Sequence, residues 1–421
     1  MRFIFSVHSL YFRQVKKAVL VFFLIFNYAL AQEGEFPVCG FDQRLREQIK
    51  ENPGLLERIS AEPEYSARFK MESAVITVPV VVHILYFNSE QNLPKQQIES
   101  QIAVLNEDFR KLNYDTVKIP DRFKEFAADP QIEFCLAQFD PEGNPTDGIV
   151  RVAVGIEEIG ATDKYYRAST GGSDIWDPRY YLNIWVCEID GKTLGFAYLP
   201  GSTTANKDGI VVDYRTFGTV GRLAVDHNLG RTTTHEVGHY FNLLHPWGNE
   251  EGCEFDDGVS DTPLQEKPNA HCPDGPRFSC DNAPLGDMHM NYMDYTMDRC
   301  SNLFTQGQKS RMLAALNNYR ETLYSSTGCT GPDTSTNIVE RVALFPNPNS
   351  QGLLKIDVLL EKEQTADIKL YSIDGREILS DQRVVKKRVL EYPIDHLQSG
   401  IYILNFVSGS YKSSMKYIVI Q

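Results

Sequence analysis

The stretch His235-Glu236-Val237-Gly238-His239-Tyr240-Phe241-Asn242-Leu243-Leu244-His245 decides how this chain is read. It predicts a helix, and on a helix residues four apart share a face, so His235 and His239 can hold one zinc ion between them. Glu236 is offset by one position and can reach a zinc-bound water as general base. His245 lies too far along to share that face and joins only if the helix stops and the chain turns back. Asn242 stands where that stop is needed, and after Gly, Asn best tolerates the left-handed backbone. A lone His-Glu-x-x-His arises by chance in about one percent of chains this long, and the third histidine at this offset makes chance a poor explanation. His227, His271 and His289 read instead as ordinary core or surface side chains.

Upstream, Val75 to Phe87 is β-branched and apolar, which predicts a buried strand. Leu93 to Asn113 places Ile98, Ile102, Leu105 and Phe109 at helical spacing. Further strands are expected over 131–140, 180–189 and 208–218, just before the histidine helix. Residues 249–300 are loop-rich. Thr305 to Leu323 predicts a last helix, with Met312, Leu316, Tyr319 and Leu323 on one face. This pattern indicates an α/β (α+β) domain with a mixed twisted sheet and long helices. Ser326 to Asn337 has linker composition, and after it come short alternating strands, which read as a small all-β sandwich.

The 421 residues allow about two or three domains at roughly 150 residues each. With 42 basic and 56 acidic residues the net charge is −14, which argues against nucleic acid as the main partner. Arg13, Lys16 and Lys17 precede the apolar run Ala18 to Ala31, which ends in Ala29-Leu30-Ala31. That is the pattern of a signal peptide cut after Ala31. No later segment is apolar for long enough to cross a bilayer, so the exported form is expected not to span a membrane, and disulfides are permitted. The expected organisation is a signal peptide (1–31), a charged segment (32–74), a domain carrying the histidine motif (75–328), a linker (329–339) and a C-terminal β-domain (340–421).

Cys253, Cys272, Cys280 and Cys300 fall in the loop-rich region, and four cysteines allow three pairings among which sequence does not choose. Cys135, Cys187 and Cys329 are not paired by the sequence. Asp256, Asp257, Ser260, Asp261 and Thr262 form an acidic turn that reads either as a calcium site or as a solvated loop. Cys39-Gly40 stands alone in the charged segment. Its thiolate could fill an open fourth position on zinc, and a structural disulfide is the other reading.

Asn291-Tyr292-Met293-Asp294-Tyr295 follows His245 by about fifty residues. The elongated histidine motif with this downstream turn resembles the metzincin metallopeptidases. In order, DGIVVDYRTFG, NLGRTTTHEVGHYFNLLHPWG, DTP and MNYMDYTMDRCSNLFTQGQKSRM are most similar to the pappalysin (cytophagalysin) family, over about residues 75–325. Asn242 departs from the usual pattern, where metzincins have Gly. The resemblance implies a zinc endopeptidase acting on protein or peptide substrates, with Met293 beneath the histidines and Tyr295 stabilising the oxyanion. It also implies the pairs Cys253–Cys280 and Cys272–Cys300, and a structural calcium held by Asp257, the Ser260 backbone and Thr262, with Glu250 or Glu251 as a further carboxylate. Cys39 resembles the cysteine switch of the family's propeptides, which implies a zymogen. Proteins of this type often cut before Arg; Asp298 is the candidate acid for that pocket, and Ala67–Arg68 a candidate self-cleavage site. An inactive, adhesive metzincin fold is the alternative, against which Glu236 and all three histidines stand.

Phe345-Pro346-Asn347-Pro348, LYSIDGREI (Leu370 to Ile378) and LQSGIYILNF (Leu397 to Phe406) resemble the C-terminal sorting domain of type IX secretion. That implies handling by the type IX machinery and delivery outside the cell or to its surface.

Overall fold

A computed structural model describes residues 38–55, 75–323, 326–330, 339–409 and 411–420. The signal peptide and the Ala67–Arg68 bond lie outside the described residues. The chain forms two compact units: one comprises the described residues up to 137 and from 147 to 326, the other residues 138–146 and those from 327 onward.

The first unit is built on a seven-stranded sheet. Its centre is β2 (Ile76–Tyr86), whose residues from Val78 to Leu85 are all buried. A run that is apolar except for the hydrogen-bonded His83 suits a strand covered on both faces. Strand β2 pairs in parallel with β3 (Ile132–Leu136), β4 (Ile149–Ala153) and β5 (Leu182–Cys187). Strand β5 pairs in parallel with β7 (Ile210–Asp213), and β6 (Thr193–Ala197) runs antiparallel to β7. Val38–Cys39 forms β1, which adds to β6 in parallel and leads into helix α1 (Phe41–Glu51).

Helix α2 (Lys95–Asp108) buries Ile98, Ile102 and Leu105 in the main core, with Phe109 just beyond its end. It stops short of the expected Asn113 because Lys111 takes a positive φ of 50°. The strand expected over 208–218 is limited to β7, because the Asp213 carboxylate accepts the Arg215 N–H and starts a 3-10 turn. Helix α3 (Arg231–Tyr240) carries the histidine motif. Helix α4 (Gln306–Tyr319) opens with a capping box between Thr305 and Gln308. Met312, Leu316 and Leu323 are buried as expected, but Tyr319 is 47% exposed. The helix ends there, and Arg320 turns inward to Asp208 and the Tyr240 carbonyl.

The second unit is all-β, a five-stranded antiparallel sheet. Strands β8 (Val339–Phe345), β10 (Glu377–Pro393) and β11 (Gly400–Ser408) all pair with β9 (Leu353–Ser372), and β12 (Tyr411–Val419) pairs with β11. Two of the expected short strands are thus halves of the single long β9. Its alternate residues Leu354, Ile356 and Val358, then Ile368 and Leu370, join the core of this unit.

Candidate active site

His235 and His239 lie on one face of α3, one turn apart. The helix ends in a Schellman turn: the Asn242 N–H donates to the His239 carbonyl at 2.9 Å and the Leu243 N–H to the Gly238 carbonyl at 3.0 Å. Asn242 is the left-handed residue, with φ 74°. The turn returns the chain so that His245 faces the other two histidines. The three Nε2 atoms lie 3.1–3.2 Å apart.

Each Nδ1–H has an acceptor: the Tyr292 carbonyl for His235 (2.7 Å), the Leu243 carbonyl for His239 (2.8 Å) and the Asp42 carboxylate for His245 (2.8 Å). With the protons fixed on Nδ1, three lone pairs point at one another. They need a cation between them, and ligands at about 2.0–2.1 Å around a tetrahedral zinc stand about 3.4 Å apart. The donor set therefore fits zinc. Cys39 Sγ joins it, 3.7 Å from His239 Nε2, and the four ligand atoms lie within 4.8 Å of one another. Burial, followed by the electrostatic influence of the neighbouring His245 ring, lowers the His235 pKa to about 3, and burial first pushes His239 down as well. Burial, then Glu236, pushes the Cys39 thiol up, so a cation at this point is what would make it a thiolate.

Glu236 is fully buried, and neither carboxylate oxygen has a hydrogen-bond partner. Burial raises its pKa to about 8, opposed by Cys39 and assisted by Asp42. Gly195 on β6 makes room for it, since a Cβ there would come within 2.9 Å of Glu236 Cγ. Gly238 does the same for Met293, which is fully buried with its sulfur against the helix; a Cβ would meet that sulfur at 2.4 Å. The Tyr295 hydroxyl donates to Asp42 at 3.3 Å and to the Cys39 carbonyl at 3.4 Å, and its ring packs edge-on to His245.

Asp298 lines a small cavity beside Glu236 with His227, Thr232, Thr296 and Ser301. One carboxylate oxygen accepts the Leu229 and Arg231 N–H groups, and the other faces His227 at 3.5 Å. The bonded pairs are Cys253–Cys280 and Cys272–Cys300; Cys135 and Cys329 are also disulfide-bonded, whereas Cys39 and Cys187 are free. Asp257 is buried and accepts hydrogen bonds from Val259 N and Thr262 Oγ1, while Ser260 is exposed.

Several site residues escaped sequence reasoning. Phe41 stacks on His239 at 3.7 Å, Trp247 stacks on His245 at 4.5 Å, and Asp42 holds both His245 and Tyr295. Gly238, placed inside a helix where Gly is costly, is the one signal that could have announced a close neighbour.

Fold and site together define a metzincin zinc endopeptidase. A family profile described as pregnancy-associated plasma protein-A, peptidase family M43, matches residues 166–317, and one described as secretion system C-terminal sorting domain matches 343–421. An extracellular metalloprotease of Colletotrichum graminicola is 32% identical over 260 residues, covering 59% of this chain and 79% of its own length. Mature mirolysin of Tannerella forsythia, solved with a cleaved peptide, is 44% identical, with a TM-score of 0.58 over 60% of this chain and 96% of its own. A promirolysin mutant is 38% identical, with a TM-score of 0.62 over 71% and 100%. The chain belongs to the pappalysin-type M43 metallopeptidases. It is a secreted zinc metalloendopeptidase with a type IX sorting domain, and no helix among the described residues is long and apolar enough to cross a membrane.

Proposed function

We propose that the protein is a zymogen in which His235, His239 and His245 hold the zinc, Glu236 is the general base and Cys39 blocks the fourth position. The convergence of three Nε2 lone pairs beside a partnerless, buried Glu236 carboxylate carries this reading. When bound, zinc supplies the positive charge that acidifies water and polarises a scissile carbonyl. Glu236 takes the proton of the attacking water and later passes one to the leaving amine. Tyr295, once released from Asp42, turns its hydroxyl to the developing oxyanion. Asp298 supplies a negative floor for an Arg side chain after the scissile bond. Asp257, the Ser260 backbone and Thr262 hold a structural calcium. Residues 32–74 act as the propeptide of a catalytic domain spanning 75–328, and 340–421 as the sorting domain.

The test is mass spectrometry of a mixed peptide library incubated with the exported chain, before and after removal of 32–74, beside Glu236→Ala. The expected result is cleavage by the processed wild type alone, with cuts clustering before Arg and that clustering lost in Asp298→Asn. Equal cleavage by Glu236→Ala would refute the assigned base.

A further inference from the structure

At the start of α3 a buried polar cluster joins three parts of the chain. Asp108, the last residue of α2, is 2% exposed. One of its oxygens accepts from Arg231 and from the Tyr292 hydroxyl (3.0 Å), and the other from Thr234 Oγ1 (2.6 Å). Arg231 also donates to the Tyr292 hydroxyl at 2.6 Å and to Asp115 at 3.2 Å. Arg231 and Thr234 belong to α3, and Thr234 immediately precedes His235. Tyr292 belongs to the turn before Met293, and its carbonyl receives the His235 Nδ1 proton. One carboxylate thus grips both the helix that carries His235 and the residue that fixes the orientation of its ring.

Stability alone does not call for such a cluster, because well-packed apolar residues in place of a buried ion pair are often as stable. We propose that Asp108 and Tyr292 are positioning residues for zinc: through Thr234 and the Tyr292 carbonyl they lock the His235 ring with Nε2 aimed at the metal. They touch neither substrate nor metal. Losing a group bonded directly to a metal ligand typically costs about 10–100-fold in metal affinity or activity; Asp108 and the Tyr292 hydroxyl act one bond further out, through the Tyr292 main chain and Thr234, so the low end of that range is expected.

The test uses the full chain and measures zinc affinity by equilibrium competition with a chromogenic chelator. Tyr292→Phe keeps the ring and the backbone and removes only the hydroxyl; about tenfold weaker zinc binding is expected. Thr234→Val, close to isosteric, should act in the same direction. The two together should cost less than the product of their separate effects, because both act through Asp108. Tyr240→Phe removes a buried, partnerless hydroxyl from the same helix and should leave zinc affinity within twofold of wild type. If Tyr292→Phe binds zinc within twofold of wild type, the proposal fails even if its unfolding temperature drops; should that variant not fold, Thr234→Val is judged by the same criterion. The proposal rests on His235 being a ligand. His235→Ala with wild-type affinity would overturn that assignment, whereas a weak His235→Ala beside an unaffected Tyr292→Phe would overturn only the positioning role.

Discussion

Replacing Asn242 tests the turn that brings His245 to the site. Its φ of 74° lies in the left-handed region, and its carbonyl is held by Arg311 Nε at 2.7 Å, so the turn cannot relax without breaking that contact. A residue with Cβ pays about 1–2 kcal/mol in this conformation; Asn pays less because its short polar side chain bonds locally. Asn242→Ala should therefore lose about 1 kcal/mol, and the β-branched Asn242→Val about 2 kcal/mol. Asn242→Gly removes the Cβ clash but widens the unfolded ensemble, which costs about 0.4–1 kcal/mol. The two effects oppose, and the net change should be within about 0.5 kcal/mol of zero. Urea unfolding of the four proteins should rank Gly with Asn, then Ala, then Val. Because His239 Nδ1 donates to the Leu243 carbonyl inside the same turn, Val should also weaken zinc retention where Gly does not. Ala as stable as Asn, or Gly the worst of the series, would refute the reasoning.

In the unprocessed chain, Cys39→Ala should show basal peptidase activity that still falls short of the processed enzyme. The charge-assisted bond from His245 to Asp42 and the Phe41 stack remain, so Cys39→Ala/Asp42→Ala should gain about tenfold or more over Cys39→Ala alone. The loops closed by Cys253–Cys280 and Cys272–Cys300 span 27 and 28 residues. Chain entropy then assigns about 3.5 kcal/mol to each, and paired Cys→Ser variants should lose similar amounts in denaturant titrations; a loss below about 1 kcal/mol for either would contradict this. Burial lowers the His83 pKa from 6.5 to about 4, against the opposing pull of its bond to Asn183 and of Asp174. Between those values the unfolded chain binds more protons, so this stability is whole above pH 6.5 and lost as pH falls towards 4. About 2 kcal/mol should disappear between pH 7.5 and 5, and His83→Gln should flatten that slope; an unchanged slope would sink the assignment.

The convergence of the three histidines was legible because helix geometry turns spacing into proximity: four residues apart is one face, and Asn242 marks the stop. Strand β2 was legible from its β-branched, largely apolar run, despite the buried His83 within it. Tyr319 was misplaced because it is the last residue of the helix: Arg320 then turns inward to Asp208 and the Tyr240 carbonyl, and periodicity along the sequence does not show that break. The expected strand after Asp208 was cut short by a side chain, Asp213, competing for the backbone. Asp42 could not be found at all. It lies 203 residues from His245, and no local pattern marks a carboxylate that will meet an imidazole across such a distance.

That contact separates the third histidine from the other two. His235 and His239 give their Nδ1 protons to main-chain carbonyls of the same folded unit, Tyr292 and Leu243, which processing leaves in place. His245 gives its proton to Asp42, which under the proposed reading departs with residues 32–74. A carboxylate on the outer nitrogen raises the basicity of the inner one. The latent form would thus combine a fourth ligand, Cys39, with a carboxylate-supported His245, and processing would remove both together. The same cut frees the Tyr295 hydroxyl, since Asp42 and the Cys39 carbonyl are its two acceptors. Opening the coordination position, softening one ligand and releasing the oxyanion donor are then consequences of withdrawing a single four-residue stretch, Cys39-Gly40-Phe41-Asp42.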